Sequence, residues 1–153
     1  MAMDLNAFLA AALAPREQAV EVPELAAWFA EGEPAVWTVR SLTALEFYRC
    51  AEAQNEAVRR LHEALSKALS GGEGSVDALR AVAEQTPGEF SKKLEMVAMA
   101  SVSPAIGTAH RDVVVRLSET HPATFFRLVN EVEQLFVQGG ELGKPRPSGQ
   151  TDG

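Results

Sequence analysis

At 153 residues the chain fits one domain, a unit of about 100–150 residues, and its 46% hydrophobic and 23% charged residues are those of a folding chain rather than a disordered one. Its 21 acidic and 14 basic residues give a formal charge of -7, which repels nucleic-acid phosphates unless the cations gather on one face. The densest basic pairs, Arg59-Arg60 and Lys92-Lys93, are flanked by acids at helical spacing, so no nucleic-acid partner is expected.

In chain order, Asp4 is placed to cap a short helix whose apolar positions Leu5, Phe8, Leu9 and Ala12 recur at helical steps until Pro15. Residues 1–15 are therefore read as an N-terminal helix or arm. Asp4 stands where a secretion signal would carry positive charge, and no run reaches the ~18 apolar residues of a membrane span, so no membrane partner is expected. Ala19 to Val22 alternates, and Ala35 to Arg40 alternates again with the β-favouring Val36, Trp37, Thr38 and Val39. These predict a two-stranded antiparallel ribbon over about 19–40, with a helical turn at Pro23 to Phe29 and Trp28 and Trp37 anchoring it to the helices.

Thr43 with Glu46 three residues later predicts a capping box. Phe47, Ala51, Val58, Leu61, Leu65 and Leu69 then form an apolar stripe up to Gly71-Gly72, in a helix of about 27 residues and roughly 40 Å. Glu56/Arg60 and Glu63/Lys67 are spaced to pair along it. A short helix from Ser75 to about Gln85 follows. Thr86-Pro87-Gly88-Glu89 then opens another, with Thr86 as cap, Phe90, Leu94, Val97, Ala98 and Ser101 as its stripe, and Met96 and Met99 beside it. Ala109 to Leu117 is read as helix, although Val113-Val114-Val115 would also suit a strand. Pro122 opens the last helix, whose stripe of Phe125, Leu128, Val129, Val132, Leu135 and Phe136 ends at Gly139-Gly140. The expected fold is mainly α, a small helical bundle with a short two-stranded β ribbon near the N-terminus. The single domain spans 16–138, and 139–153, rich in Gly and Pro, is expected to be a flexible tail.

No chemistry-bearing constellation emerges. Cys50 is the one cysteine, so no internal disulfide forms, and His62 lies about 18 Å along the same helix, too far to activate it. Gly71-Gly72-Glu73-Gly74 follows a helix and lacks the lysine of a phosphate-binding loop. His62, His110 and His121 share no metal-ligand spacing with acids or Cys50. His110 and Asp112, two apart on a helix, diverge. Glu52 and Glu56 sit beside arginines on an exposed face, with no cause for a raised pKa. An enzyme, a cofactor and a metal are therefore not expected.

Pro23-Glu24-Leu25, the run Val36-Trp37-Thr38-Val39-Arg40-Ser41-Leu42-Thr43 entering the long helix, Arg111-Asp112-Val113 followed by Leu117, and Gly143-Lys144-Pro145-Arg146-Pro147-Ser148-Gly149 occur in an order that resembles the tail assembly chaperones of long-tailed, siphovirus-type bacteriophages. The resemblance covers most of residues 20–149 and is to the short form that precedes a programmed frameshift; the helix at 1–14 is less typical of the pattern. It implies a helical protein of the host cytoplasm, absent from the mature virion, that binds the tape-measure protein and keeps it soluble during tail morphogenesis. A longer frameshifted form would recruit the tail-tube protein. Helix-in-groove binding through Trp28, Phe29, Trp37, Phe47, Met96 and Met99 is the expected mode of client contact. The alternative is a small phage-encoded regulatory protein that binds a host protein, which a stoichiometric partner from uninfected host lysate would favour. Homo-oligomerisation is left open by the sequence. The resemblance predicts, in the genome, an overlapping reading frame with a slippery site near the end of this gene and a very long helical open reading frame after it; sequencing the locus checks this, and neither feature would be there if the resemblance were accidental.

Overall fold

A computed structural model of the chain describes residues 2–70 and 87–142 together with Val76, Asp77 and Arg80. The fold is mainly α with a small antiparallel sheet. Helix α1 (Leu5–Ala10) is capped as expected, with Ala7 N donating to the Asp4 carboxylate at 3.0 Å, but it ends at Ala10 rather than at Pro15. Strand β1 (Leu13–Ala14) follows, then β2 (Glu17–Glu21), a 3-10 turn (Pro23–Trp28) and β3 (Val36–Arg40). Helix α2 (Ala44–Leu69) leads away from the sheet, and α3 (Gly88–Ala100) returns to it. The chain passes directly into β4 (Ser101–Ser103), then α4 (Arg111–Thr120), α5 (Pro122–Gln138) and β5 (Glu141–Leu142).

The expected ribbon is a three-stranded sheet in the order β2-β3-β4, with β3 central. Val20 pairs with Trp37 and Val39 with Ser101, and the register shifts between Thr38 and Val39. Along β3, Trp37 and Val39 are buried while the residues between them are half-exposed, the alternation of a sheet with one face on a core. A second, two-stranded ladder joins β1 to β5, so Leu13 pairs with Leu142 and Ala14 with Glu141. The expected tail from 139 is thus held as far as Leu142, and residues 143–153 lie outside the described residues.

The core lies between the sheet and α3, α4 and α5. Helix α3 is its middle element and buries Ser91, Leu94, Met96, Val97, Ala98 and Ala100, more than one face of the helix. A helix packed on several sides has to be apolar around most of its circumference. Its first turn lies against α2, where a Cβ on Gly88 would come within 3.0 Å of the Gln54 carbonyl oxygen. Pro87 is its N-cap and has no side-chain oxygen to accept a bond from the first turn, in place of the expected Thr86 cap, which lies outside the described residues. The short helix expected over 75–85 lies almost wholly outside them too. The valine run at 113–115 is helical: Val114 and Leu117, three apart, face the core while Val113 is exposed. Gly139, at φ 74°, ends α5 as expected, in a left-handed conformation open to glycine.

Two features fix where α2 leaves the sheet. The capping box is present, with Glu46 N donating to Thr43 Oγ1 at 3.2 Å and Thr43 N to Glu46 Oε1 at 3.0 Å. The Glu46 carboxylate also receives both Nη groups of Arg40, at 2.9 and 2.6 Å, which ties the end of β3 to the first turn of α2. Past Cys50 the described side chains of α2 are half-buried or exposed, and Glu56, Arg59, Arg60 and Glu63 form a surface network. The pairing of Glu56 with Arg60 is as expected, whereas Glu63 turns back to Arg59 rather than on to Lys67. Among the described residues no helix is long and apolar enough to cross a membrane.

The fork of Arg40 holds the Glu46 carboxyl at about 2, from an ordinary 4.5, with the Thr43 amide adding to it. Folding therefore gains from the ionised carboxylate above about pH 4.5 and loses that gain as the pH falls toward 2. Glu46→Gln is predicted to cost ~1–2 kcal/mol at neutral pH, allowing for solvent screening, and the difference from the native chain should shrink steadily below pH 4. Urea unfolding across that range measures it.

Candidate functional site

An open groove of about 800 Å³ runs between the segment from Leu25 to Glu33 and the exposed side of α4, with Ser103 and Pro104 at one end. Its volume is in the ~300–1,000 Å³ range of sites that take up a ligand or a row of side chains. Three local features build it.

The first is the 3-10 turn. Pro23 sets its first residue, and Leu25 and Trp28, three apart, project to the same side because 3-10 side chains eclipse at that step. Leu25 is buried at the base of the groove, whereas Trp28 is 74% exposed at its rim. The expectation that Trp28 anchors the ribbon is therefore corrected: the turn carries it out past the core. It is nevertheless held, its ring meeting that of His121 edge-on, with centroids 5.8 Å apart and planes at 81°. Behind it Glu24 fastens the turn to α5, accepting a hydrogen bond from the Thr124 hydroxyl and an ion pair from Arg127 Nη2. The Thr124 hydroxyl first, and the Arg127 cation after it, keep the Glu24 carboxyl below its ordinary pKa.

The second is the floor. Trp37 is 4% exposed and donates its indole N–H to Ser101 Oγ at 2.9 Å, and that hydroxyl donates in turn to the Val97 carbonyl at 2.6 Å. Trp37 is thus the anchor predicted for it, and its ring also lines the groove. Ser101, expected on the stripe of a helix, begins β4 instead. The third is α4, which contributes Val113 and Leu117 one turn apart, with Asp112 and Arg116 beside them.

Of the six residues predicted to meet a client, Trp28, Phe29 and Trp37 line this groove. The other three lie elsewhere. Met96 is 1% exposed inside the core, and Met99 packs against that core, because α3 is the middle element rather than a surface helix. Phe47 stacks on Phe136 at 4.4 Å with Lys92 Nζ 4.3 Å from its ring centre, closing the contact between α2 and α5. Val113, Leu117, Pro104 and His121 were not among the predicted client contacts, although the four-residue step from Val113 to Leu117 was an available signal.

The polar rim consists of Glu33, Asp112, Arg116, Thr120 and His121. Thr120 Oγ1 gives its proton to the Arg116 carbonyl at 2.9 Å and lies 2.9 Å from His121 Nδ1, so the ring is the donor in that contact. Such an arrangement orients His121 without activating the hydroxyl. Among the described residues no three His, Cys, Asp or Glu side chains come together as a metal site. Cys50 is fully buried; burial, followed by the charges of Glu95 and Glu46, pushes its thiol up to about 11. A thiol so placed is a packing group rather than a nucleophile.

The groove is apolar with a polar rim. Comparison with protein-family models, curated proteins and solved structures finds no match to the chain.

Because the floor depends on a buried indole with one partner, Ser101→Ala is predicted to lose ~1–3 kcal/mol, the cost of an unpaired buried donor. The double variant Trp37→Phe/Ser101→Ala should lose less than the two single changes added together, since no donor is then orphaned. Chemical denaturation of the four proteins tests this; additive losses would show that the bond contributes nothing.

Proposed function

We propose that the chain is a tail assembly chaperone of a long-tailed bacteriophage, which holds an apolar helical stretch of the tape-measure protein in solution until the tail tube grows around it. The reading joins the resemblance described above to one structural observation: an exposed Trp28, fixed by Glu24 and His121 above an apolar floor, in a groove with a polar rim. Exposed aromatic side chains held in place are the usual energetic centres of protein interfaces, because little freedom remains to be lost on binding. A client helix would lay residues spaced three and four apart along the floor formed by Leu25, Trp37 and Leu117. The rim would set its register, with Asp112 and Arg116 available to charges of opposite sign. Under this proposal the protein acts in the host cytoplasm and a frameshifted longer form brings the tail-tube protein.

Co-expression with a tape-measure segment tests the proposal. The native chain should move the segment into the soluble fraction, and Trp28→Ala should weaken the complex ~10–100-fold while leaving the fold intact, since that side chain contributes little to the core. A segment that is equally soluble without the chain would refute the chaperone reading.

A further inference from the structure

We infer that the groove takes its client helix antiparallel to α4 and selects one in which an acidic residue precedes a basic one by four positions beside the apolar stripe. The inference rests on the proposed function and adds to it a direction and a charge order.

Helix α4 and its C-cap line the groove with Asp112, Val113, Arg116, Leu117, Thr120 and His121. On a helix, residues at that spacing fall into two parallel rows. Val113, Leu117 and His121 form the inner row, where Leu117 is buried and His121 meets the ring of Trp28. Asp112, Arg116 and Thr120, all exposed, form the outer row, which reads acid, base, hydroxyl along about 12 Å.

The two charges of the outer row are not neutralised within the described chain. Asp112 and Arg116 have the spacing of a helical ion pair, yet among the described residues neither belongs to one. The Asp112 carboxylate accepts the Val113 amide at 3.1 Å, and Arg116 meets Thr120 Oγ1 through its carbonyl rather than its guanidinium. A helix lying in the groove therefore faces an acid and, one turn on, a cation.

The complement on the client is a base opposite Asp112 and an acid opposite Arg116, four residues apart on one flank. Either direction of the client could supply them, and two physical effects select one. Laid antiparallel to α4, the client passes Arg116 first, so its acid precedes its base, the order that also stabilises a helix by itself. Antiparallel seating further sets the dipole ends of the two helices against opposite ends. Parallel seating needs the less favourable charge order and brings like dipole ends together. Glu33, on the opposite wall, favours a further base on the client's other flank.

Two acetylated and amidated peptides of about 18 residues and identical composition are the probes. Both carry leucines at steps of three and four on a background of alanine and glutamine. On one flank the first has Glu four residues before Lys, and the second has Lys four residues before Glu. Titration calorimetry against the full chain should show the first binding roughly tenfold tighter, as when two partly exposed ion pairs replace two like-charge contacts. The advantage should shrink as salt is raised from ~0.05 to ~0.5 M. Asp112→Arg/Arg116→Asp, with circular dichroism confirming its fold, should reverse the preference. That reversal separates the outer row from the first peptide's own greater helicity, which no change in the protein alters.

Equal binding of the two peptides, a preference for the second, or a preference untouched by the charge swap each overturns the inference and leaves the chaperone reading standing. Binding of neither peptide also refutes it, and whether the tape-measure segment is kept soluble then decides the chaperone reading separately.

Discussion

The indole of Trp37 is the point on which the architecture turns. Its ring sits in the central strand, its N–H is bound by Ser101 at the first residue of β4, and the same hydroxyl reaches the last turn of α3 at Val97. One side chain therefore joins strand to strand and sheet to helix. Burying an indole is favourable only if its polar end is satisfied, and the abrupt change from helix at Ala100 to strand at Ser101 is what brings a hydroxyl there. The groove inherits this arrangement, because the face of Trp37 not covered by the core becomes its floor.

Two ionic clamps convert that floor into a defined site. Arg40 and Glu46 fix the angle at which α2 departs from β3, and Glu24 fixes the turn bearing Trp28 to Thr124 and Arg127 on α5. Neither clamp is a large contribution to stability at a partly solvated position. Their effect is positional: Trp28 stands out in water yet is not free to collapse onto the body. The surface so formed displays an aromatic ring above an apolar floor.

Much of the helical framework was legible in the sequence because its signals are local. Thr43 and Glu46 mark the start of α2 through a bond pattern that spans three residues, and Pro122 and Gly139 bracket α5 by backbone geometry alone. The valines of α4 followed the surrounding bundle rather than their own strand preference. What was hidden depends on contacts distant in sequence. Strand β4 is three residues long and continues a helix, too short for any alternation to register, and the ladder of β1 with β5 pairs two-residue segments from opposite ends of the domain. Met96 shows the same limit: periodicity set it beside the stripe, and only the packing of α3 on several neighbours placed it inside. In the site, Trp28 and Trp37 look equivalent as residues. Their separation into rim and floor arises because one belongs to a turn that leads outward and the other to the middle strand.

The central claim is that the groove beneath Trp28 receives an apolar helix of the client. Trp28 and Trp37 are the two tryptophans, one exposed and one buried, so their fluorescence can be told apart by a water-borne quencher. Acrylamide quenching should be dominated by Trp28 and, under the proposed function, should fall to the level of a buried indole when a tape-measure helix saturates the protein. Quenching that is unchanged at saturation would place the client elsewhere and contradict the account.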